Sequence, residues 1–155
     1  MTVTITLLVR LLLVILFLPF SALDKILNFG GAVAQAQQIG VGRGTAMVLI
    51  AIGLAVEIVM PLGILTGIAD RLAAFVLAGY CCATALLWKR FWQQGDFWHS
   101  GESKAREMFW DFLKNYALAG GFLLLTSGSA TRAGVAQFLH HPFASSHPYA
   151  AADDR

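Results

Sequence analysis

MVLIAIGLAVEIVMPLGILTG, residues 47–67, is the stretch on which the fold turns. At about 1.5 Å rise per residue, an apolar run of roughly twenty residues spans the ~30 Å hydrocarbon core of a bilayer. One carboxylate, Glu57, sits near its middle. On insertion scales an ionisable group at that depth costs about 2.5 to 3.5 kcal/mol, so Glu57 is expected to face a partner or a wet cavity rather than lipid.

Three further apolar stretches, residues 4–27, 72–92 and 109–127, repeat the pattern. Of the 155 residues, 57% are hydrophobic and 13% charged, and the mean hydropathy is +0.67. A soluble domain carries about 25% charged residues, so this chain cannot coat a water-facing surface. The expected fold is all-α: an integral membrane antiparallel four-helix bundle over residues 1–127, followed by a mobile polar tail, 128–155. The short turn at 68–71 sets the second and third stretches side by side and antiparallel. An uncleaved first stretch is expected, because it is too long for a signal peptide and has no basic leader.

Composition also excludes functions. A net charge of +2 with scattered cations gives no nucleic-acid footprint. Gly40-Val41-Gly42-Arg43-Gly44 follows no strand and is not a dinucleotide fingerprint. Cys81 and Cys82 are adjacent on a helix, where a disulfide would strain the backbone, and read as small core-filling residues. His140, His141 and His147 make only a weak metal tract, and no metal site is expected. There is no haem-ligand arrangement or iron–sulfur cysteine spacing, so any electrons must come from a partner.

Candidate site residues follow from polar groups at membrane depth. Arg10, Phe17, Ser21, Asp24 and Asn28 recur at whole helical turns and so share a face, with Pro19 kinking the helix between them. Gly53, Glu57 and Pro61 share a face of the second stretch. Arg10 is the expected partner of Glu57, with Lys114 approaching from the other side and Asn115 completing the hydrogen bonds. Ser21, Asp24 and Lys25 form a secondary set. Trp88-Lys89-Arg90-Phe91-Trp92 combines aromatic rings and cations, as where a helix leaves the bilayer, which makes Lys89 an interface anchor. Residues 93–108 read as a solvated loop.

The chain resembles the DoxX family of small four-helix bacterial membrane proteins. The resemblance is carried by Arg10-Leu11-Leu12 with Phe17 and the run Lys25-Ile26-Leu27-Asn28-Phe29-Gly30-Gly31. Glu57 with Gly63, Leu65, Gly67 and Arg71-Leu72-Ala73-Ala74 adds to it, as do Phe109-Trp110 and the run from Lys114-Asn115 to Gly120-Gly121. Two positions depart: Lys89 stands where members often have His, and Ser21 where they often have Gly. The family is similar to a membrane subunit of thiosulfate:quinone oxidoreductase, and some members associate with redox or thiol-stress enzymes.

That resemblance implies a membrane redox-complex subunit holding a quinone between its helices, with Arg10, Glu57, Lys114 and Asn115 as its polar groups. A soluble or membrane redox enzyme is then the expected partner, within the lipid bilayer of the bacterial inner membrane. The competing readings are a non-enzymatic anchor or interaction module and a small proton-coupled transporter, the last requiring a homo-oligomer. Cations on the two sides orient the chain: Lys25, Arg43, Lys89, Arg90, Lys104, Arg106 and Lys114 against Arg10, Arg71, Arg132 and Arg155. By the positive-inside rule the long loops are cytoplasmic and both termini outside. A periplasm-active reporter fused after Arg155 should therefore be active and one fused within 93–108 inactive; the reverse pattern would invert the orientation.

Overall fold

The computed structural model describes residues 2–128 and 132–149. Those residues are helical with no strand: α1 (Thr2–Val14), α2 (Ala22–Leu27), α3 (Phe29–Gln37), α4 (Arg43–Thr66), α5 (Asp70–Trp88), α6 (Lys104–Ser127) and α7 (Arg132–His140). Three segments are long and apolar enough to cross a membrane: Val3–Leu27, Arg43–Thr66 and Asp70–Gln93. The fourth expected segment is present as α6, equally long as α4 at 24 residues. It falls outside that set because Asp111, Lys114 and Asn115 occupy its first half.

The first segment is not one straight helix. Between α1 and α2 lies a wide turn, Leu16–Ser21, in which Leu18 leaves helical geometry at φ −120°, ψ 112°. The departure falls next to Pro19, which has no N–H with which to continue the helical hydrogen-bond ladder. The turn gives the residues beyond it a different heading from Arg10, and the single polar face expected along the whole segment is broken there.

α5 packs on α4 and on α6, α1 touches both α4 and α6, and α3 lies against α4. The core between them is built from Val14, Phe17, Ile64, Ala74, Leu77, Ala78, Cys81 and Phe122. Phe17 anchors it, with its ring 5.8 Å from that of Phe122 and 6.4 Å from that of Tyr80. Cys81 is a free, buried thiol in this core. At the end of α4, Gly67 takes a φ of +81°, which a side chain would strain, and lets the chain turn into α5.

The tail is more attached than a mobile polar appendage. The short periodic piece near 135–141 forms α7, whose Phe138 packs against Phe75 at 5.3 Å. The following segment then docks on the end of α4. The Ser145 hydroxyl donates to the carbonyl of Gly67 and that of Tyr149 to the carbonyl of Leu65. Helix ends leave their last carbonyls without partners, and apolar surroundings make that costly, so these two hydroxyls act as caps supplied from far along the chain. Periodicity could not reveal this, because the contacts are polar and made by an irregular segment. The remaining tail residues, 129–131 and 150–155, Arg155 among them, lie outside the described residues.

Deleting residues 145–155 should therefore lower the thermal midpoint in detergent. Each buried polar group left unsatisfied typically costs about 1 to 3 kcal/mol. An unchanged midpoint would return this segment to the role of a solvated appendage.

Candidate functional site

Glu57 is 2% exposed, on the face of α4 that also carries Gly53 and Pro61. Its partner is Lys25 of α2, whose Nζ lies 2.8 Å from Oε1 and 3.0 Å from Oε2. Ser21 donates its hydroxyl to Oε1 at 3.0 Å, and Lys25 donates to that same hydroxyl at 2.8 Å. Tyr80 of α5 donates to Oε1 at 2.8 Å. A buried carboxylate is tolerable only when its charge is compensated and its lone pairs are occupied, and this arrangement does both.

Tyr80 reaches Glu57 because α4 has a glycine one turn earlier. A Cβ at Gly53 would stand 3.1 Å from the Tyr80 hydroxyl, too close for comfort, so the missing side chain makes room for the ring. Tyr80 was not singled out in the sequence, where it is one residue inside an apolar stretch. The available signal was Gly53 itself, whose absent side chain faces the neighbouring helix.

The pair opens into a cavity of about 380 Å³. Its polar lining includes Ser21, Lys25, Glu57, Tyr80, Lys89 and Asn115; Leu16, Phe17, Leu49, Ile50 and Trp88 supply apolar wall. α3 closes one side with Ala32 and Ala36, and the Trp88 indole N–H donates to the Gln35 carbonyl at 3.2 Å. Lys89 contacts Asp111 at 2.9 Å. Of the three Lys25 N–H groups, all have acceptors in Ser21 and the two Glu57 oxygens. Lys89 has one acceptor among the described residues, which leaves donors for a guest.

The expected Arg10–Glu57 pair does not form. Arg10, 3% exposed, instead meets Asp70 at the start of α5 at 2.6 Å, donates to the Ile64 carbonyl, and donates to the Ser146 hydroxyl at 2.9 Å. Asp70, 0% exposed, also accepts from the Ser146 backbone N–H at 2.9 Å and from its hydroxyl. The physical reason is the turn at Leu16–Ser21: reach along a straight helix predicted one polar stripe, whereas the broken helix serves two separate carboxylates. In the sequence Asp70 stands inside the short turn at 68–71, outside the apolar stretches that single out Glu57.

The other candidates divide. Ser21 and Lys25 join Glu57; Asn115 lines the cavity while donating to the Asp111 carbonyl at 3.0 Å. Lys114 points away, its side chain 75% exposed and 3.4 Å from Asp111. Asp24 is exposed and outside the cavity. No group of three His, Cys, Asp or Glu side chains comes together among the described residues.

A family model for DoxX matches residues 5–90, more than half of the chain. The chain belongs to the DoxX family. Searches of curated proteins and of solved structures give no match. The matched span of this DoxX membrane protein holds Arg10, Ser21, Lys25, Glu57, Asp70, Tyr80 and Lys89, and stops before Asn115 and the docked tail. Both buried ion pairs thus belong to the DoxX part of the molecule, and Ser145, Ser146 and Tyr149 are added from outside it.

Removing either member of a buried pair leaves a charge without compensation, typically at about 3 to 5 kcal/mol. Glu57→Gln and Lys25→Gln should each lower stability in this DoxX protein, and the double substitution should cost no more than the worse single one. Lys89→Gln should cost about 1 kcal/mol or less, since its contact with Asp111 is half open to solvent. Strict additivity of Glu57→Gln and Lys25→Gln would show that the two side chains do not act as a unit.

Proposed function

We propose that this protein is a multi-pass four-helix antiparallel bundle of the bacterial inner membrane. In this reading it serves as the quinone-binding subunit of a redox complex. α6 is the fourth crossing, its charged first half turned to the cavity and the interface. The observation that carries the reading is the Lys25–Glu57 pair opening into a cavity whose wall combines apolar side chains with polar ones. Ligand pockets typically measure about 300 to 1,000 Å³ and combine apolar walls with a few placed polar groups.

Charge balance narrows the guest. Lys25 is paired with Glu57 and Lys89 with Asp111, so each cation lining the cavity already has a carboxylate. That favours an uncharged ring carrying oxygen atoms over an anion. The unspent N–H groups of Lys89 suit a quinone carbonyl, an acceptor. The oxygen of Tyr80, which already donates to Glu57, can accept from the hydroxyl of a quinol. A quinone bound here gains electrons only from a partner enzyme, since this chain has no electron-carrying group of its own in its sequence motifs.

The fully satisfied hydrogen bonds of Lys25 and Glu57 also fit a second reading, in which the pair is a lock and the protein a membrane anchor for other subunits. Purification in mild detergent followed by solvent extraction and mass spectrometry separates the two. A quinone near one per chain, lost in Lys89→Met while the melting midpoint holds, supports the first reading. A protein that retains partner subunits but no lipophilic molecule supports the second.

A further inference from the structure

We propose that the loop between α5 and α6, residues 94–103, is a docking surface for the headgroup layer of the bilayer, with Trp98 as its anchor. Sequence polarity had marked this segment as a solvated loop. Its structure is that of a braced platform. The Asp96 carboxylate accepts from the backbone N–H groups of Lys104 and Ala105 at 2.7 and 3.0 Å, fixing the loop to the start of α6. Desolvation opposes that charge, but these N–H donors outweigh it and hold the Asp96 carboxyl below the usual carboxylate range. Arg106 reaches back and donates to the carbonyls of Phe97 and His99 at 2.9 and 2.6 Å, and to that of Gly101.

Held in this way, the loop presents an indole outward. Phe97 is packed into the molecule, 5.3 Å from Phe109 and 6.1 Å from Phe91, while Trp98 beside it is 92% exposed. Trp98 and Trp92 border a cleft of about 360 Å³ completed by Phe91, Gly95 and Phe97, with no charged side chain in its lining. A braced loop does not shield such a surface by collapsing onto it, so something outside the chain must cover it.

Two observations identify the cover as lipid. All four tryptophans of the chain fall between positions 88 and 110, gathered where α5 ends and α6 begins. Trp92 and Trp110 are exposed, as are Leu86, Leu113 and Tyr116 at the end of α5 and along α6, so exposed apolar side chains flank the loop on both helices. In addition, the cleft beside Trp98 is lined by aromatic rings and Gly95 without a charged group, which suits lipid better than a charged protein partner. Indole, a flat apolar body with one N–H donor, suits the boundary between hydrocarbon and water.

The test uses the full chain in phosphatidylcholine vesicles, comparing tryptophan emission of the wild type with that of Trp98→Phe. Equal far-UV circular dichroism and melting midpoint establish that both are folded, and Trp92→Phe provides a second subtraction across the same cleft. The expected result is that the Trp98 component is quenched by lipids brominated near the headgroup and shielded from aqueous iodide. Quenching by iodide as strong as for free tryptophan, with none from brominated lipid, would overturn the proposal. Shielding from both quenchers would also overturn it, because the ring would then be covered by protein.

Discussion

A carboxylate buried among membrane helices must have a cation and hydrogen-bond donors within reach, and the central architecture of this protein answers that demand at Glu57. Lys25, Ser21 and Tyr80 converge on it from two other helical segments. Each convergence constrains a neighbour: a side chain at Gly53 would press on the Tyr80 hydroxyl, the first membrane segment breaks near Pro19, and α2 lies close enough for Lys25 to reach α4. The cavity is what remains once these polar groups have been brought together and the apolar side chains have filled the rest of the core.

The same demand is met a second time where α4 ends and α5 begins. Arg10 and Asp70 are both buried and are joined by Ser146, so that guanidinium, carboxylate and hydroxyl form a closed set. The two pairs differ in surroundings. Lys25 and Glu57 border open space, which suits a guest, whereas Arg10 and Asp70 are sealed by the chain itself, with the ring of Tyr149 6.0 Å from the guanidinium. Chemically similar pairs therefore have different capacities, decided by what lies beside them.

How much of this was legible depended on range. The helical segments, the need of Glu57 for a buried partner and the close approach at Gly53 follow from hydrophobic runs and from spacing within one helix. The choice of partner did not, because it rests on the heading of the chain beyond Leu18. Two cations, Arg10 and Lys25, lay in the same segment, and only the geometry of the turn decides which one meets Glu57. Tyr80 and Ser146 were hidden for a related reason: each acts through a single hydroxyl on an element whose pattern speaks only of apolar packing or of irregular chain. Lys114 and Asp24 illustrate the converse, charged residues near membrane helices whose side chains turn outward.

The capping of α4 by Ser145 and Tyr149 also bears on the order in which the molecule is made. Ser145 follows Gly67 by 78 positions, so the ribosome completes α4, α5 and α6 before the hydroxyls that close the end of α4 exist. Until then Asp70 relies on Arg10 alone among these partners, and the carbonyls of Leu65 and Gly67 lack the hydroxyls that cap them in the finished fold. A chain that stops between residues 141 and 144 has every helix of the fold but lacks these contacts at one identifiable place, the end of α4.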